Sequence, residues 1–187
     1  MGARFRARYP EGMAAGSTHP PVAGVSVEEY LATSYKPACD YRDGVLRQKP
    51  WPTWRHGLLQ GWLMQLINIG FRSFVAGSEV TLRIREGKYL VPDVIVQRRD
   101  HIQEPYPTEA VHLCIEILSP DDRIGDVFSK CEEYHTWGVK SAWIVDPDNE
   151  RAWEYRSGER PHEVPTDGSL TAEGITIPLA EVFSVFR

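Results

Sequence analysis

The sequence predicts an α/β (α+β) fold in which a mixed β-sheet is flanked by helices. Apolar residues recur at helical spacing in two segments, 54–69 and 122–137. Between and after these segments, apolar residues alternate or run continuously, as they do in strands. A sheet with a helix on each side buries both apolar faces of such a chain, and 187 residues correspond to one domain of this kind.

The N-terminal part of the chain differs in composition from the rest. Residues 1–24 are rich in Gly, Ala, Arg and Pro and have no periodic pattern, so we expect a flexible leader, with Met13 as an alternative start. The domain then spans 25–187. It is predicted to begin with a short helix capped by Ser26 and with a hairpin at Asp43-Gly44, which together give the sheet an N-terminal β extension.

Strand and helix signals continue along the domain. The first long helix is predicted to end at Gly70, and the chain then alternates as a strand across 80–84. A second strand at 89–97 is interrupted at Pro92, because proline cannot donate to a sheet ladder. The run VHLCIEIL at 111–118 predicts a central strand covered on both faces. The remaining predicted elements are a buried strand at 141–145, an edge strand at 151–156, a strand at 175–177 and a short helix at 179–183.

Composition excludes several classes of protein. No stretch approaches the roughly 18 apolar residues of a membrane helix, and the first residues lack the apolar core of a secretion signal. Three cysteines cannot pair evenly, and Cys114 lies in an apolar run, so we expect a reducing, cytoplasmic environment. A net charge of -5 argues against a protein that traps nucleic acid by bulk charge, although a local basic patch is compatible with it.

Two acidic residues stand in otherwise apolar strands. Glu116 lies in the middle of the central strand, on the same face as Cys114 and Leu118, where an unpaired carboxylate would cost several kcal/mol. Asp93 follows Pro92 in the preceding strand. If the two strands are adjacent, the carboxylates converge, and a dication such as Mg²⁺ relieves their repulsion and brings a water for phosphodiester hydrolysis.

The second long helix carries a lysine that can reach the same point. Lys130 lies about 60° from the centre of the core-facing stripe of this helix, so its ammonium can extend toward the end of the sheet. There it could orient an attacking water or stabilise a phosphate. Asp126, four residues earlier, could hold that ammonium.

Structural alternatives stay open for these residues. Asp93 could be a turn residue, Glu116 could pair with Arg83 or Arg123, and Lys130 could lie along the surface. Three further sets of residues also have two interpretations. His56 either reaches the cleft or caps its helix. Ser119 either supports Glu116 or shapes the turn before the helix. Three tryptophans either stack on a ligand or pack in the core, and these are Trp51, Trp54 and Trp62.

The residues around this site match a known family. The strings VPDVIV and IEILSPDDRIGDVFSKCEEYHTWGVKSAWIVDP resemble the Uma-two (Uma2) family of putative restriction endonucleases, within the PD-(D/E)xK nuclease superfamily. The resemblance runs from about Ser26 to the C-terminal short helix, and the stretch from Pro92 to Pro147 is its most specific part.

The resemblance implies a restriction-endonuclease-like core and a role for each site residue. Asp93 and Glu116 would bind Mg²⁺, with Mn²⁺ as a second choice, and Lys130 would replace the strand lysine, whose position is taken by Leu118. The superfamily often adds an acid from the first helix, where Gln60 could substitute through a water. The implied activity is hydrolysis of DNA phosphodiester bonds.

Two other functions remain possible at this point. One is a catalytically degenerate module of the same fold that binds DNA or a protein partner. The other is a structural protein in which Glu116 is only salt-bridged. We expect a homodimer, because cutting two strands needs two sites, and no membrane association.

Overall fold

The structure is a computed structural model that describes residues 21–187. Most of the predicted leader, residues 1–20, lies outside the described residues. Within the leader's last residues, Val22–Ala23 form a short strand, β1, that pairs with Val45–Gln48, which we label β3. Strand pairing therefore begins before the predicted boundary at residue 24. The sequence did not indicate this strand, because two residues are too few to show a periodic pattern.

The described residues form thirteen strands, four α-helices and one 3₁₀ turn. Besides β1 and β3, the strands are β2 (Cys39–Arg42), β4 (Phe74–Ser78), β5 (Leu82–Arg85), β6 (Lys88–Leu90), β7 (Val94–Arg98), β8 (Leu113–Ile117), β9 (Ser141–Asp146), β10 (Arg151–Arg156), β11 (His162–Glu163), β12 (Ser169–Ala172) and β13 (Ile175–Pro178). The helices are α1 (Val27–Ala32), α2 (Trp54–Gly70), α3 (Ile124–Trp137), α4 (Leu179–Val182) and the 3₁₀ turn Phe183–Phe186.

The predicted mixed sheet with a helix on each side is confirmed. Its six strands have the order β11-β10-β9-β8-β7-β4, with β8 and β9 parallel and the other neighbours antiparallel. On one face, α2 packs with the β12–β13 hairpin and α4 against apolar side chains of β7, β8 and β9. On the other face, α3 packs against the alternate side chains of the same strands. The central strands are thus buried from both sides, as their apolar sequences predict.

The two long helices end where their sequences predict. In α2, Leu59, Leu63 and Ile67 repeat every four residues and are fully buried, and the helix ends at Gly70. In α3, the chain leaves the helix at Gly138, whose φ of 119° is in the left-handed region that glycine tolerates. Helix α3 begins at Ile124, two residues later than predicted.

A second, five-stranded sheet with the order β1-β3-β2-β6-β5 forms the N-terminal extension. The predicted Asp43-Gly44 turn joins β2 to β3, and both residues have positive φ (47° and 86°), as a tight hairpin turn requires. The chain passes from this sheet into the six-stranded one between Leu90 and Val94, at Pro92. The predicted interruption at this proline is therefore a change of sheet.

Several strands differ from the prediction, and β11 (His162–Glu163) has no predicted counterpart. Strand β4 was not predicted, since its sequence FVAGS contains small residues and no clear alternation, and it pairs only at the sheet edge. Strand β12 was not predicted either. The strand at 151–156 is not an edge strand, because β11 pairs with its outer side. No helix between residues 21 and 187 has both the length and the apolar character needed to cross a membrane.

Candidate active site

The two predicted acids face each other where β7 and β8 meet. The β7–β8 ladder ends with the pair Val94 and Ile115, and Asp93 and Glu116 are the residues next to this last pair on the two chains. The Ile117 N–H donates to Asp93 Oδ2 over 2.6 Å, which ties the aspartate to the neighbouring strand. Asp93 is 2% exposed and Glu116 is 6% exposed. The structure therefore brings the two carboxylates together in a buried site, as the sequence predicts.

Asp93 is surrounded by cationic and polar groups from other elements. The Lys49 ammonium forms an ion pair with Asp93 Oδ1, and His56 Nε2 lies 3.5 Å from the same oxygen. Gln60 donates to the backbone carbonyl of Asp93 over 2.8 Å. Burial raises the pKa of the Asp93 carboxyl, but Lys49 and His56 outweigh burial and hold the pKa well below its ordinary value. Asp93 is thus kept ionised, the form that a metal ligand needs.

Glu116 is held by α3. Both of its contacts use Oε1, which accepts a hydrogen bond from Tyr134 Oη at 2.5 Å and lies 3.1 Å from Lys130 Nζ. Burial raises the pKa of Glu116, and the opposing effect of Lys130 and Lys49 does not cancel it. The negative charge on this carboxylate is therefore incompletely compensated, which favours binding of a further cation.

Lys130 reaches the site as predicted, but a different acid holds it. Its ammonium lies 3.5 Å from Asp40 Oδ2 and donates to the carbonyl of Val91 over 3.0 Å. Burial lowers the pKa of Lys130, but Asp40, Glu116 and Asp93 outweigh burial and raise it, so the ammonium stays charged. Asp126 is exposed and makes no ion pair with Lys130 among the described residues. The prediction that Asp126 orients Lys130 is therefore wrong, because Asp40 occupies that role.

The structure also decides between the alternative partners of Glu116. Arg83 and Arg123 are exposed, and Glu116 pairs with Lys130. The alternative in which Glu116 pairs with one of these arginines is therefore wrong. Ser119 is buried near the start of α3, and its N–H donates to Asp122 Oδ2 over 2.8 Å. Its hydroxyl makes no hydrogen bond to Glu116 within residues 21–187.

Four neighbours of the site were missed by sequence reasoning. Tyr134 had a signal, because it lies one helical turn after Lys130 on the core-facing stripe. Asp40 and Lys49 had no signal that links them to the site, because they come from β2 and from the loop that follows β3. Asp122 lies in the turn before α3; burial raises its pKa, and the charges of Asp93, Lys49 and Lys130 also act on it.

The donor chemistry of the site fits a magnesium ion. Carboxylate oxygens are the ligands Mg²⁺ prefers, and one or two of them suffice because the ion keeps several waters. Asp93 and Glu116 supply such oxygens, and the softer donor beside them is the His56 imidazole, whose Nε2 lies 3.5 Å from Asp93 Oδ1. Across the described part of the chain, no group of three or more His, Cys, Asp or Glu side chains is arranged to hold a metal, so a zinc-type cage is not formed there.

Comparison with known proteins gives a family and a fold. The family model described as "Uma2: Putative restriction endonuclease" matches residues 27–182. Among solved structures, the chain is similar to a protein from Anabaena variabilis described as a putative nuclease belonging to DUF820, with a TM-score of 0.73 and 23% identity. This match covers 87% of the present chain and 99% of the other, and it shows a shared fold. No curated protein matches the chain.

Proposed function

The chain belongs to the Uma2 family, and from this premise we propose that it is a Mg²⁺-dependent endonuclease that hydrolyses DNA phosphodiester bonds. The observation that carries the proposal is the buried pair of Asp93 and Glu116, facing each other across two strands with the Lys130 ammonium beside them. Mn²⁺, which takes the same oxygen ligands, is the alternative metal.

Asp93 and Glu116 would hold the metal ion, and other residues of the chain keep them in place. Lys49 and the Ile117 N–H fix the carboxylate of Asp93, and the Tyr134 hydroxyl fixes that of Glu116. When bound, the ion supplies a Lewis acid and an activated water for attack on phosphorus. These supporting contacts limit the rotation of both carboxylates before substrate arrives.

Charge balance in the site suits a phosphodiester. Three carboxylates, those of Asp40, Asp93 and Glu116, face two ammonium groups, those of Lys49 and Lys130. Arg42 also lies 3.8 Å from Asp40, but its closer partner is Glu133, and the charges of Arg42 and Glu133 cancel. With these five groups charged, the cluster carries one net negative charge, and a bound dication changes this to one net positive charge. A phosphodiester carries one negative charge, so the loaded site attracts it. Lys130 is placed to stabilise the additional charge that develops on the phosphate during attack.

The proposed enzyme acts on DNA as a homodimer in a reducing compartment. Two cuts in a duplex need two sites, which a second copy would provide. All three cysteines, Cys39, Cys114 and Cys131, are free and buried, which is compatible with a reducing compartment.

Asp93→Asn is the test of the proposed site. We expect Mg²⁺-dependent cleavage of DNA to fall by about 10³-fold or more, because the metal's contribution is worth several kcal/mol. The amide oxygen of the new side chain can still accept the hydrogen bond from the Ile117 N–H, so circular dichroism and thermal melting should show a folded protein. The matched control is Asp100→Asn, an exposed aspartate just beyond the far end of β7. Undiminished cleavage by Asp93→Asn would refute the proposal.

A second candidate function is the catalytically degenerate module. Two observations favour it: Leu118 occupies the position of the superfamily's strand lysine, and Gln60, on α2, donates to a backbone carbonyl where an acid could bind metal. Calorimetric titration with Mg²⁺ or Mn²⁺ separates the two functions. Binding that Asp93→Asn abolishes supports the enzyme, whereas wild-type protein that binds neither ion supports the module.

A further inference from the structure

Two tryptophans beside the site are unusually exposed. The side chains of Trp51 and Trp54 are 68% and 83% exposed, whereas Trp143 and Trp153 are buried in the six-stranded sheet. Trp62, the third tryptophan of this region, is half-buried and donates its Nε1–H to the carbonyl of Glu181 over 2.9 Å. Partial burial and this hydrogen bond therefore account for Trp62, whereas Trp51 and Trp54 are left largely exposed. We call these last two residues the aromatic pair.

Each tryptophan of the aromatic pair is two residues from a side chain that contacts Asp93. Trp51 is two residues after Lys49, whose ammonium contacts Asp93, and Trp54 is two residues before His56, whose Nε2 lies 3.5 Å from Asp93 Oδ1. Two residues span at most about 7 Å between Cα atoms. Each indole is thus attached to the backbone close to a residue that contacts the metal-binding aspartate.

The segment that carries the aromatic pair has little conformational freedom. Pro50 and Pro52 flank Trp51 and fix their own φ angles. Thr53 caps α2 by accepting a hydrogen bond from the His56 N–H over 3.2 Å, and Trp54 is the first helical residue. The two indoles are therefore displayed from a restrained backbone, which lowers the entropy lost when they bind a ligand.

The segment around the aromatic pair is positively charged, which favours an anionic partner. Residues 44–78 contain no Asp or Glu, although the whole chain has a net charge of -5. The same residues include four cationic side chains. Lys49 pairs with Asp93, and Arg55 pairs with Asp148 and Glu150, whereas Arg47 and Arg72 are exposed and supply the positive charge of the segment. Aromatic side chains beside cationic ones are the combination by which proteins bind single-stranded nucleic acid.

We propose that the aromatic pair stacks on unpaired DNA bases next to the phosphate that is cleaved. This inference rests on the proposed function and names its substrate class: DNA with single-stranded, frayed or looped bases at the cut. In a duplex both faces of each internal base are covered by its neighbours, so an indole can stack only on an unpaired base or at a duplex end. Stacking tolerates any base, because every base has a π-face.

The experiment measures binding of labelled DNA by fluorescence anisotropy, with a chelator present to prevent cleavage. The probes are a single-stranded oligonucleotide of about 20 nucleotides and a blunt duplex of the same length. We expect wild-type protein to prefer the single strand. Trp51→Ala and Trp54→Ala should each weaken that binding by about 10-fold, and the double variant by about 100-fold, with duplex binding changed less than about 3-fold.

Two further variants serve as controls. Ile69→Ala removes an exposed apolar side chain about 22 Å further along α2 and should leave binding of both probes unchanged. Phenylalanine at both tryptophan positions should retain most of the single-strand affinity, since it keeps a stacking face. Thermal melting checks that all variants are folded.

The outcomes separate this inference from the proposed function. If wild-type protein cleaves DNA with Mg²⁺ but the double alanine variant binds the single strand as tightly as wild type does, the stacking inference alone is wrong. An equal loss for single strand and duplex also refutes it. If sedimentation shows that the double variant turns a dimer into a monomer while single-strand binding is unchanged, the aromatic pair contacts a second copy instead. A wild-type protein that neither binds nor cleaves any DNA refutes the proposed function itself.

Discussion

Two glutamates are buried in the same six-stranded sheet, and their surroundings differ. Glu154 on β10 is 3% exposed, and both of its oxygens have partners. Oε1 accepts from the Thr171 N–H and, over 2.7 Å, from the Thr171 hydroxyl, while Oε2 lies 3.0 Å from Arg156. Glu116 on β8 is buried to a similar extent, but its contacts with Tyr134 and Lys130 use a single oxygen.

This comparison shows that burial alone does not identify a functional acid. The contacts of Glu154 join β10 to β12, so its charge stabilises the packing of the C-terminal hairpin. The pKa of Glu116 is raised, which means that the folded protein compensates its charge incompletely. A buried carboxylate in that condition lowers stability, the trade-off often found at functional sites.

Exchanging each glutamate for glutamine should separate activity from stability. Under the proposed function, Glu116→Gln should lower Mg²⁺-dependent cleavage by about 10³-fold, because the proposed metal ligand loses its charge, and it should leave the free energy of unfolding unchanged or higher. Glu154→Gln should keep cleavage within about 3-fold of wild type but lower the free energy of unfolding by roughly 1–3 kcal/mol. Initial rates and denaturant unfolding measure the two quantities.

The comparison fails if the two variants behave alike. Loss of cleavage in both would indicate that unfolding, rather than chemistry, is being measured. Normal cleavage in Glu116→Gln would remove Glu116 from the metal site and leave its burial to be explained by its contacts with α3.

Lys130 and Asp126 give a contrast of the same kind on one helix. Lys130→Met keeps the length of the side chain but removes the charge that faces the phosphate, and we expect cleavage to fall by about 10²-fold. Asp126→Asn should change cleavage less than about 2-fold, because Asp126 is exposed and Asp40 holds the lysine. The measurement is the initial rate at saturating Mg²⁺. A large loss in Asp126→Asn would contradict this assignment and restore the one predicted from helical spacing.

Periodicity and buried charge account for what could be predicted from the sequence. The spacing in α2 and α3 and the apolar run of β8 indicated the fold, and Asp93 and Glu116 stood out because acids are rare in such strands. Lys49 could not be predicted as a partner of Asp93, because the two residues come from different sheets and are 44 residues apart.

Orientation of side chains was equally hard to predict. Helical spacing placed Asp126 within reach of Lys130, but Asp40 from β2 competes for the same ammonium and is buried with it. The sequence left open whether Trp51 and Trp54 stack on a ligand or pack in the core, and it does not indicate that the loop before α2 and the first turn of α2 expose them. Contacts between distant segments decide both outcomes, and a local pattern contains no information about them.

Glu133 is a third acid of the domain whose surroundings can be compared with those of Glu116, and the effect expected at Glu133 is the smallest. This half-buried residue of α3 accepts a 2.6 Å hydrogen bond from Arg42 and forms an ion pair with Lys88, both from the five-stranded sheet. Burial raises its pKa, but the two cations outweigh burial and lower it, which is opposite to the net shift at Glu116.

A lowered pKa means that Glu133 stabilises the fold above the ordinary glutamate value of 4.5 and that this stability is lost as the pH falls through the lowered value. Glu133→Gln should therefore cost up to about 1 kcal/mol near neutral pH and nothing in acid, where wild type is protonated too. Urea unfolding at neutral pH and in acid measures the difference in the free energy of unfolding between Glu133→Gln and wild type. Asp126→Asn serves as the control, because its carboxylate is exposed on the same helix. If the loss of stability in Glu133→Gln is the same at all pH values, Glu133 stabilises the fold through packing and not through its ion pairs.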